Sequence, residues 1–213
     1  LHERVKTAKR RSNSSNRWLQ RQLNDPYVQQ AKKEGYRSRA AFKLLELDDK
    51  FHFLQPGQTV VDLGAAPGGW CQVVSQRSAG GTIIALDLLP IEPLSGVTCL
   101  EMDFMAADAP EKLRALLPEN GADLVISDMA PNTSGNQKLD HLRIMGLVEA
   151  ALEFAYEILK PGGGFICKVW QGGTETQLLT ELKQRFTSVR HAKPPSSRSD
   201  SAETFLVALG FKG

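Results

Sequence analysis

The chain has little cysteine, and what it has is poorly placed for structural work. Cys71, Cys99 and Cys167 are odd in number, far apart and never in a C-x-x-C pair. That argues against a disulfide framework and a zinc site and fits a reducing compartment. No His/Asp pattern converges on a metal, and His141 beside Asp140 reads as a helix-start residue. Long apolar runs are also missing. None approaches membrane-spanning length, and no signal-peptide core follows the basic start, so no membrane role is expected. A one-signed charge is absent too: 26 Lys and Arg stand against 24 Asp and Glu, a net charge of +2. No internal repeat is visible.

What is present is a chain of 213 residues with 41% hydrophobic and 23% charged residues, ordinary for one globular domain. Its basic residues are unevenly spread. Arg4, Lys6, Lys9, Arg10, Arg11 and Arg17 face a single acid, Glu3, and a second cluster holds Lys32, Lys33, Arg37, Arg39 and Lys43. Such clusters suit a polyanion such as RNA, or else a merely solubilising arm. Residues 1–16 read as a basic disordered tail. Residues 17–213 read as one domain, with a helical RNA-binding extension over 17–56 and a sheet-and-helix body over 57–213. The start at Leu1 fits a chain with further residues upstream. A cytoplasmic setting is expected, with a mitochondrial one as the alternative.

Asp25-Pro26 has the form of an N-cap followed by a first-turn proline. Ser38 is expected to cap a helix over 39–51, and Pro56-Gly57 to end that unit in a turn. Strand-like and helix-like segments then alternate: strands at 59–63, 82–86, 97–101, 122–127, 164–169, 188–192 and 204–209, and helices at 69–77, 110–117, 141–159 and 174–186. Strands separated by helices predict an α/β fold with a mostly parallel seven-stranded sheet covered on both faces. Too few residues join the last two strands for a parallel crossover, so the final strand is expected to be antiparallel.

The most informative stretch is Val60-Val61-Asp62-Leu63-Gly64-Ala65-Ala66-Pro67-Gly68-Gly69-Trp70. Here a strand ends in an acid, passes through small residues and enters a helix, the place where parallel sheets bind ligands. A dinucleotide site wants G-x-G-x-x-G, which Ala66 breaks, and a phosphate loop wants a Lys after its last glycine, which Gly69 lacks. A cofactor without phosphate fits better. Gly64 and Gly68 would admit it closely. Asp87, closing the next strand, suits its ribose hydroxyls; Asp103 suits an adenine amino group, with Phe104 near the ring. Trp70 either packs in that pocket or staples helix to sheet. Tyr27 and Tyr36 either stack on bases or pack in the core.

Together with Ser38-Arg39-Ala40-Ala41-Phe42-Lys43-Leu44, Asp87-Leu88-Leu89-Pro90, Ser127-Asp128-Met129-Ala130-Pro131-Asn132, Cys167-Lys168-Val169 and Ser196-Ser197-Arg198, this loop resembles the FtsJ-type RNA ribose 2′-O-methyltransferases. The resemblance runs from Ser14 to Glu203. It implies a Rossmann-like methyltransferase fold, S-adenosylmethionine as cofactor, and a Lys-Asp-Lys-Glu tetrad at Lys43, Asp128, Lys168 and Glu203, with Asp128 also touching the cofactor. Within the family it points to the bacterial branch that methylates an A-loop uridine in large-subunit (23S) ribosomal RNA. Family members usually carry Glu-Val-Tyr where this chain has Glu203-Thr204-Phe205, so a neighbouring hydroxyl is moved or lost.

The implied chemistry is methyl transfer in line with the carbon–sulfur bond, which alignment alone assists by several kcal/mol. Lys168 is expected either to accept the 2′-hydroxyl proton or to stabilise the oxyanion, and Asp128 and Glu203 to orient it. RNA contacts are expected from Arg10, Arg11, Arg17, Lys32, Arg37, Arg39 and Arg198. The partner is then ribosomal RNA within the large subunit, with the protein a monomer and no metal involved. The rival readings are a relative acting on tRNA or an mRNA cap, a noncatalytic RNA-binding assembly factor, and a small-molecule O-methyltransferase.

Overall fold

The computed structural model describes residue 16 and residues 19–20, 22–131, 135–170 and 176–213. The basic tail is therefore almost wholly outside the described residues, with Arg10 and Arg11, and so are Arg17, Trp18 and Asn132.

Strand β1 (Thr59–Leu63) is buried at every position. Continuous burial belongs to a strand covered on both faces. Strands β2 (Thr82–Asp87), β3 (Val97–Glu101), β4 (Ala122–Ser127) and β5 (Leu159–Trp170) run parallel to it, in the spatial order β3-β2-β1-β4-β5. Strand β6 (Phe186–Ala192) forms the far edge. Strand β7 (Glu203–Phe211) lies between β5 and β6 and is antiparallel to both. The expected seven-stranded sheet with an antiparallel last strand is what the chain builds.

Six helices are named here: α1 (Pro26–Glu34), α2 (Ala40–Phe51), α3 (Gly69–Arg77), α4 (Ala109–Leu116), α5 (Gln137–Ile158) and α6 (Thr176–Arg185). Side chains alternate between the two faces of the sheet. Val60, Ile83, Leu124, Ile126, Ile166, Phe205 and Val207 join Leu44 and Leu47 of α2 and Trp70 and Val73 of α3 in one cluster. Val61, Leu63, Ile84, Leu86, Val125, Phe165 and Leu206 join Leu113, Ile144, Val148, Leu152 and Leu182 in the other. Each such side chain contributes about 1.5–3 kcal/mol by leaving water. Among the described residues no helix is long and apolar enough to cross a membrane.

Asp25 caps α1 as expected, its carboxylate accepting from the Tyr27 N–H at 3.0 Å with Pro26 in the first turn. Two local expectations fail. Ser38 does not cap α2. The N-cap is Arg39, already at helical φ −62° and ψ −17°, and it makes no side-chain cap bond. With Arg39 already helical, the first turn uses the Ser38 carbonyl, which accepts from Ala41 N–H, and the Ser38 hydroxyl is buried against Gly69. The strand expected at 164–169 begins at Leu159. Pro161-Gly162-Gly163, expected to stop α5, lies inside the strand instead: α5 ends at Ile158, Leu159 already pairs with Ala122, and the register shifts before Gly164 meets Leu124. Such an irregularity is where a strand tolerates Pro and Gly.

Candidate active site

The carboxyl ends of the parallel strands are stitched together by backbone hydrogen bonds. Gly64 and Ala65 N–H donate to the Leu86 carbonyl at 2.8 and 3.1 Å, and Asp128 N–H donates to that of Leu63 at 3.2 Å. Gly64 has φ +78°, and a side chain there would drive into Met129, within 2.7 Å of its Cγ. Only glycine suits that position. The stitching opens a cleft of about 560 Å³, lined by Gly64, Asp87, Asp103, Phe104 and Asp128 among others. That is the size of a small-molecule site.

Asp87 is oriented by two backbone donors, Ala66 N–H at 2.9 Å and Leu89 N–H at 2.9 Å, one to each carboxylate oxygen. A carboxylate offers about four lone-pair directions, so each oxygen keeps one for a ligand hydroxyl. Asp103 accepts from Met105 N–H at 2.9 Å through one oxygen, and its other takes no hydrogen bond from the described residues. Acids so held, over an apolar floor, fit an adenosine-bearing group.

Asp128 links this cleft to a buried ionic cluster. Lys168 Nζ, projecting from β5, lies 3.0 Å from Asp128 Oδ1 and also donates to the Asp128 carbonyl. Lys43 Nζ, from α2, lies 3.6 Å from Asp128 Oδ2 and 2.7 Å from Glu203 Oε2 at the start of β7. Burial alone would raise the Asp128 carboxyl, but the Lys168 and Lys43 ammonium groups outweigh it and hold it below the ordinary carboxylate range. The four residues of the expected tetrad thus meet, although 160 residues separate Lys43 from Glu203. Phe205 stands where the family has a tyrosine; its ring, 5.7 Å from Lys43 Nζ, packs beneath the ammonium group. The hydroxyl beside Glu203 comes instead from Ser197, whose Oγ donates to Glu203 Oε1 at 2.8 Å. Its loop is pinned by Glu46, which accepts from both the N–H and Oγ of Ser196.

Other expected residues take different places. Trp70 is the staple: it is buried, its Nε1 donates to the Ala40 carbonyl at 2.8 Å, and it does not line the cleft. Gly68 does not line the cleft either; its φ of +106° leads into α3, and a side chain there would meet the Arg37 guanidinium. Arg37, expected on RNA, donates to the carbonyls of Pro67, Glu92 and Pro93 at 3.2, 2.6 and 2.9 Å. It braces the glycine loop against the loop after Asp87. Tyr27 and Tyr36 both pack on Phe42, with ring centroids 5.5 and 5.6 Å away. Lys32 is exposed at the end of α1. Arg39 and Arg198 line a second, polar cleft beside Lys43 and Glu203.

The roles of Ser197, Glu46 and Arg37 depend on neighbours distant in the chain, so no local signal marked them. Asp62, in the motif itself, had the one visible signal, an acid inside an apolar strand. It is buried, accepts from the Cys71 thiol at 3.2 Å, and is pushed by burial up to about 7.

A seven-stranded sheet with β7 inserted antiparallel, carrying a glycine loop and acids at successive strand ends, defines the Rossmann-like methyltransferases. Residues 36–211 match the profile of the FtsJ-like methyltransferases, and the chain belongs to that family. It is 60% identical over 212 residues to the "Ribosomal RNA large subunit methyltransferase E" of Novosphingobium aromaticivorans, covering all of this chain and 95% of that protein. It is 58% identical to the protein of the same name in Paramagnetospirillum magneticum, covering all of this chain and 89% of that one. Among solved structures, a ribosomal RNA methyltransferase from Plasmodium falciparum superposes with a TM-score of 0.71 at 33% identity, covering 84% of this chain and 100% of that one.

Proposed function

We propose that the protein methylates a ribose 2′-hydroxyl of large-subunit (23S) ribosomal RNA, at an A-loop uridine, using S-adenosylmethionine. The observation that carries the chemistry is the Lys43–Asp128–Lys168–Glu203 cluster joined through Asp128 to the cofactor-sized cleft. The substrate is supported by the shared length and name of the rRNA methyltransferase relatives.

Bound in the cleft, S-adenosylmethionine supplies a methyl group on a sulfonium, already activated for displacement. Asp87 would hold its ribose and Asp103 its adenine amino group, with Phe104 beside the ring and Gly64 giving room. The protein's remaining task is to aim the 2′-oxygen and to meet the charge that grows on it. An ammonium has three N–H donors. Lys168 is ion-paired with Asp128 Oδ1 and donates one N–H to the Asp128 carbonyl, which leaves donor capacity for the substrate oxygen. That favours Lys168 as a charged donor over Lys168 as a base. Asp128, Lys43 and Glu203 hold it in place. The basic arm 1–16 and the helical extension 17–56 position the RNA, with Arg10, Arg11, Arg17, Lys32, Arg39 and Arg198 on its phosphates. Residues 57–213 form the catalytic body, to which the extension contributes Lys43, and the protein works as a cytoplasmic monomer.

The test is transfer of labelled methyl to large subunits, or to rRNA, from cells lacking the enzyme, comparing wild type with Lys168→Ala. Wild type should label one 2′-hydroxyl. Lys168→Ala should lower kcat by about 100- to 1,000-fold, the effect of losing one oxyanion donor, with cofactor affinity unchanged. Labelling of tRNA alone would overturn the substrate, and an active Lys168→Ala would overturn the mechanism.

A further inference from the structure

The polar cleft next to the tetrad has a volume of about 350 Å³ and is lined by Arg39, Lys43, Arg198, Asp200, Ser201 and Glu203. Its two arginines converge on one buried carboxylate. Asp25, 8% exposed, uses Oδ1 to cap α1 and Oδ2 to hold Arg39 Nε at 3.0 Å and Arg198 Nη2 at 3.4 Å. Arg39 also donates to the Ser196 carbonyl, and Arg198 to Gln22 at 3.2 Å. The guanidiniums are not thereby exhausted. Arg39 Nε, ion-paired with Asp25, and Arg198 Nε are both buried without a hydrogen bond, and neither Nη1 makes one among the described residues, so the two Nη1 groups are the open donors.

We infer that Asp25 is a positioning residue for the RNA substrate, holding Arg39 and Arg198 so that their open donors grip one phosphodiester beside the reactive ribose. This rests on the RNA-methylation reading above. One carboxylate shared by two guanidiniums leaves that trio net positive, on a cleft wall where Lys43 faces Glu203 and Asp200 adds a second acid. Planar N–H forks match the paired oxygens of a phosphodiester better than any neutral group. The cleft shares Lys43 and Glu203 with the tetrad, so whatever fills it sits next to the reacting oxygen. The two arginines come from opposite ends of the chain. Arg39 precedes α2 and Arg198 lies in the loop before β7, and a common counter-ion fixes their spacing.

The two consequences of removing the Asp25 charge have opposite signs. If Asp25 acted only through its charge, removing that charge would strengthen RNA binding. If it acts by positioning, the same change weakens binding. Asn caps helices as well as Asp does, so Asp25→Asn keeps α1 while releasing the arginines. In methyl-transfer assays on the rRNA substrate, Asp25→Asn should raise KM for RNA by about tenfold and leave kcat within twofold, the size of one charge-assisted hydrogen bond. Cofactor affinity by calorimetry should not move. Arg198→Gln should raise KM similarly and reduce the slope of log KM against log salt by about one, the signature of one lost phosphate contact. An unchanged or lowered KM for Asp25→Asn overturns the proposal while the methyltransferase reading stands. An unchanged salt slope for Arg198→Gln overturns the phosphodiester as occupant. If wild type labels no RNA at all, the underlying reading falls, and this proposal with it.

Discussion

Asp62 and Asp128 follow the same logic of placement and meet opposite fates. Both stand at the carboxyl ends of neighbouring parallel strands, where Leu63 pairs with Ser127. Asp62, two residues before Gly64, has the Cys71 thiol as its one hydrogen-bond partner among the described residues, and burial drives its carboxyl up. Asp128, on the substrate side, has two lysines, which override burial and drive its carboxyl down. The difference extends to the two regions. The cofactor cleft is a space between backbone turns, apolar side chains and acids anchored by N–H groups. The substrate side is a set of side-chain charges that already satisfy one another. One side is an open cleft. The other is organised in advance, as the proposed role of stabilising developing charge without rearrangement requires.

Removing the unpaired charge should give the largest effect. A carboxyl whose folded value is raised contributes stability that is complete below its unfolded value and is lost as pH rises through the folded one. Wild-type stability should therefore fall between about pH 4 and pH 7 through Asp62. Asp62→Asn should abolish that slope, so that the variant loses far less stability than wild type between pH 5 and pH 8. Urea titrations at pH 5 and pH 8 measure it, and an unaltered slope would return Asp62 to an ordinary carboxylate. Asp128 has the reverse sign: its contribution is present above its unfolded value and disappears in acid.

Next in size is Asp87→Ala. Losing two charge-assisted hydrogen bonds to a ribose should weaken S-adenosylhomocysteine by about 100-fold in calorimetry. RNA affinity should stay put, because Asp87 belongs to the cofactor side only; a fall in both would mean the two regions are one. The smallest effect tests the substrate side from within. Ser197→Ala removes one neutral donor from Glu203, so kcat should drop about fivefold, near 1 kcal/mol, with cofactor affinity intact. No change in kcat would mean that Lys43 alone suffices to place Glu203.

The contrast also explains what could be read from the chain in advance. The cofactor side is written in contiguous stretches, 60–70, 87–90 and 102–104, where strand, turn and helix follow one another, so its outline was visible. The tetrad was visible only through resemblance, because Lys43 and Glu203 meet across 160 residues. The bracing role of Arg37 and the true place of Ser38 were hidden for the same reason. A basic residue in a basic cluster looks like an RNA contact until three carbonyls are found around it. A serine before a helix looks like a cap until the turn closes without it. Element types were set by local pattern, whereas the partner of each polar side chain was set by the fold.

The insertion of β7 between β5 and β6 has a temporal consequence. During synthesis six strands leave the ribosome before the one that joins two of them. Until then β5 and β6 have no shared partner, and Glu203 is not present to meet Lys43. The Lys43–Glu203 pair can therefore form only once the seventh strand is in place.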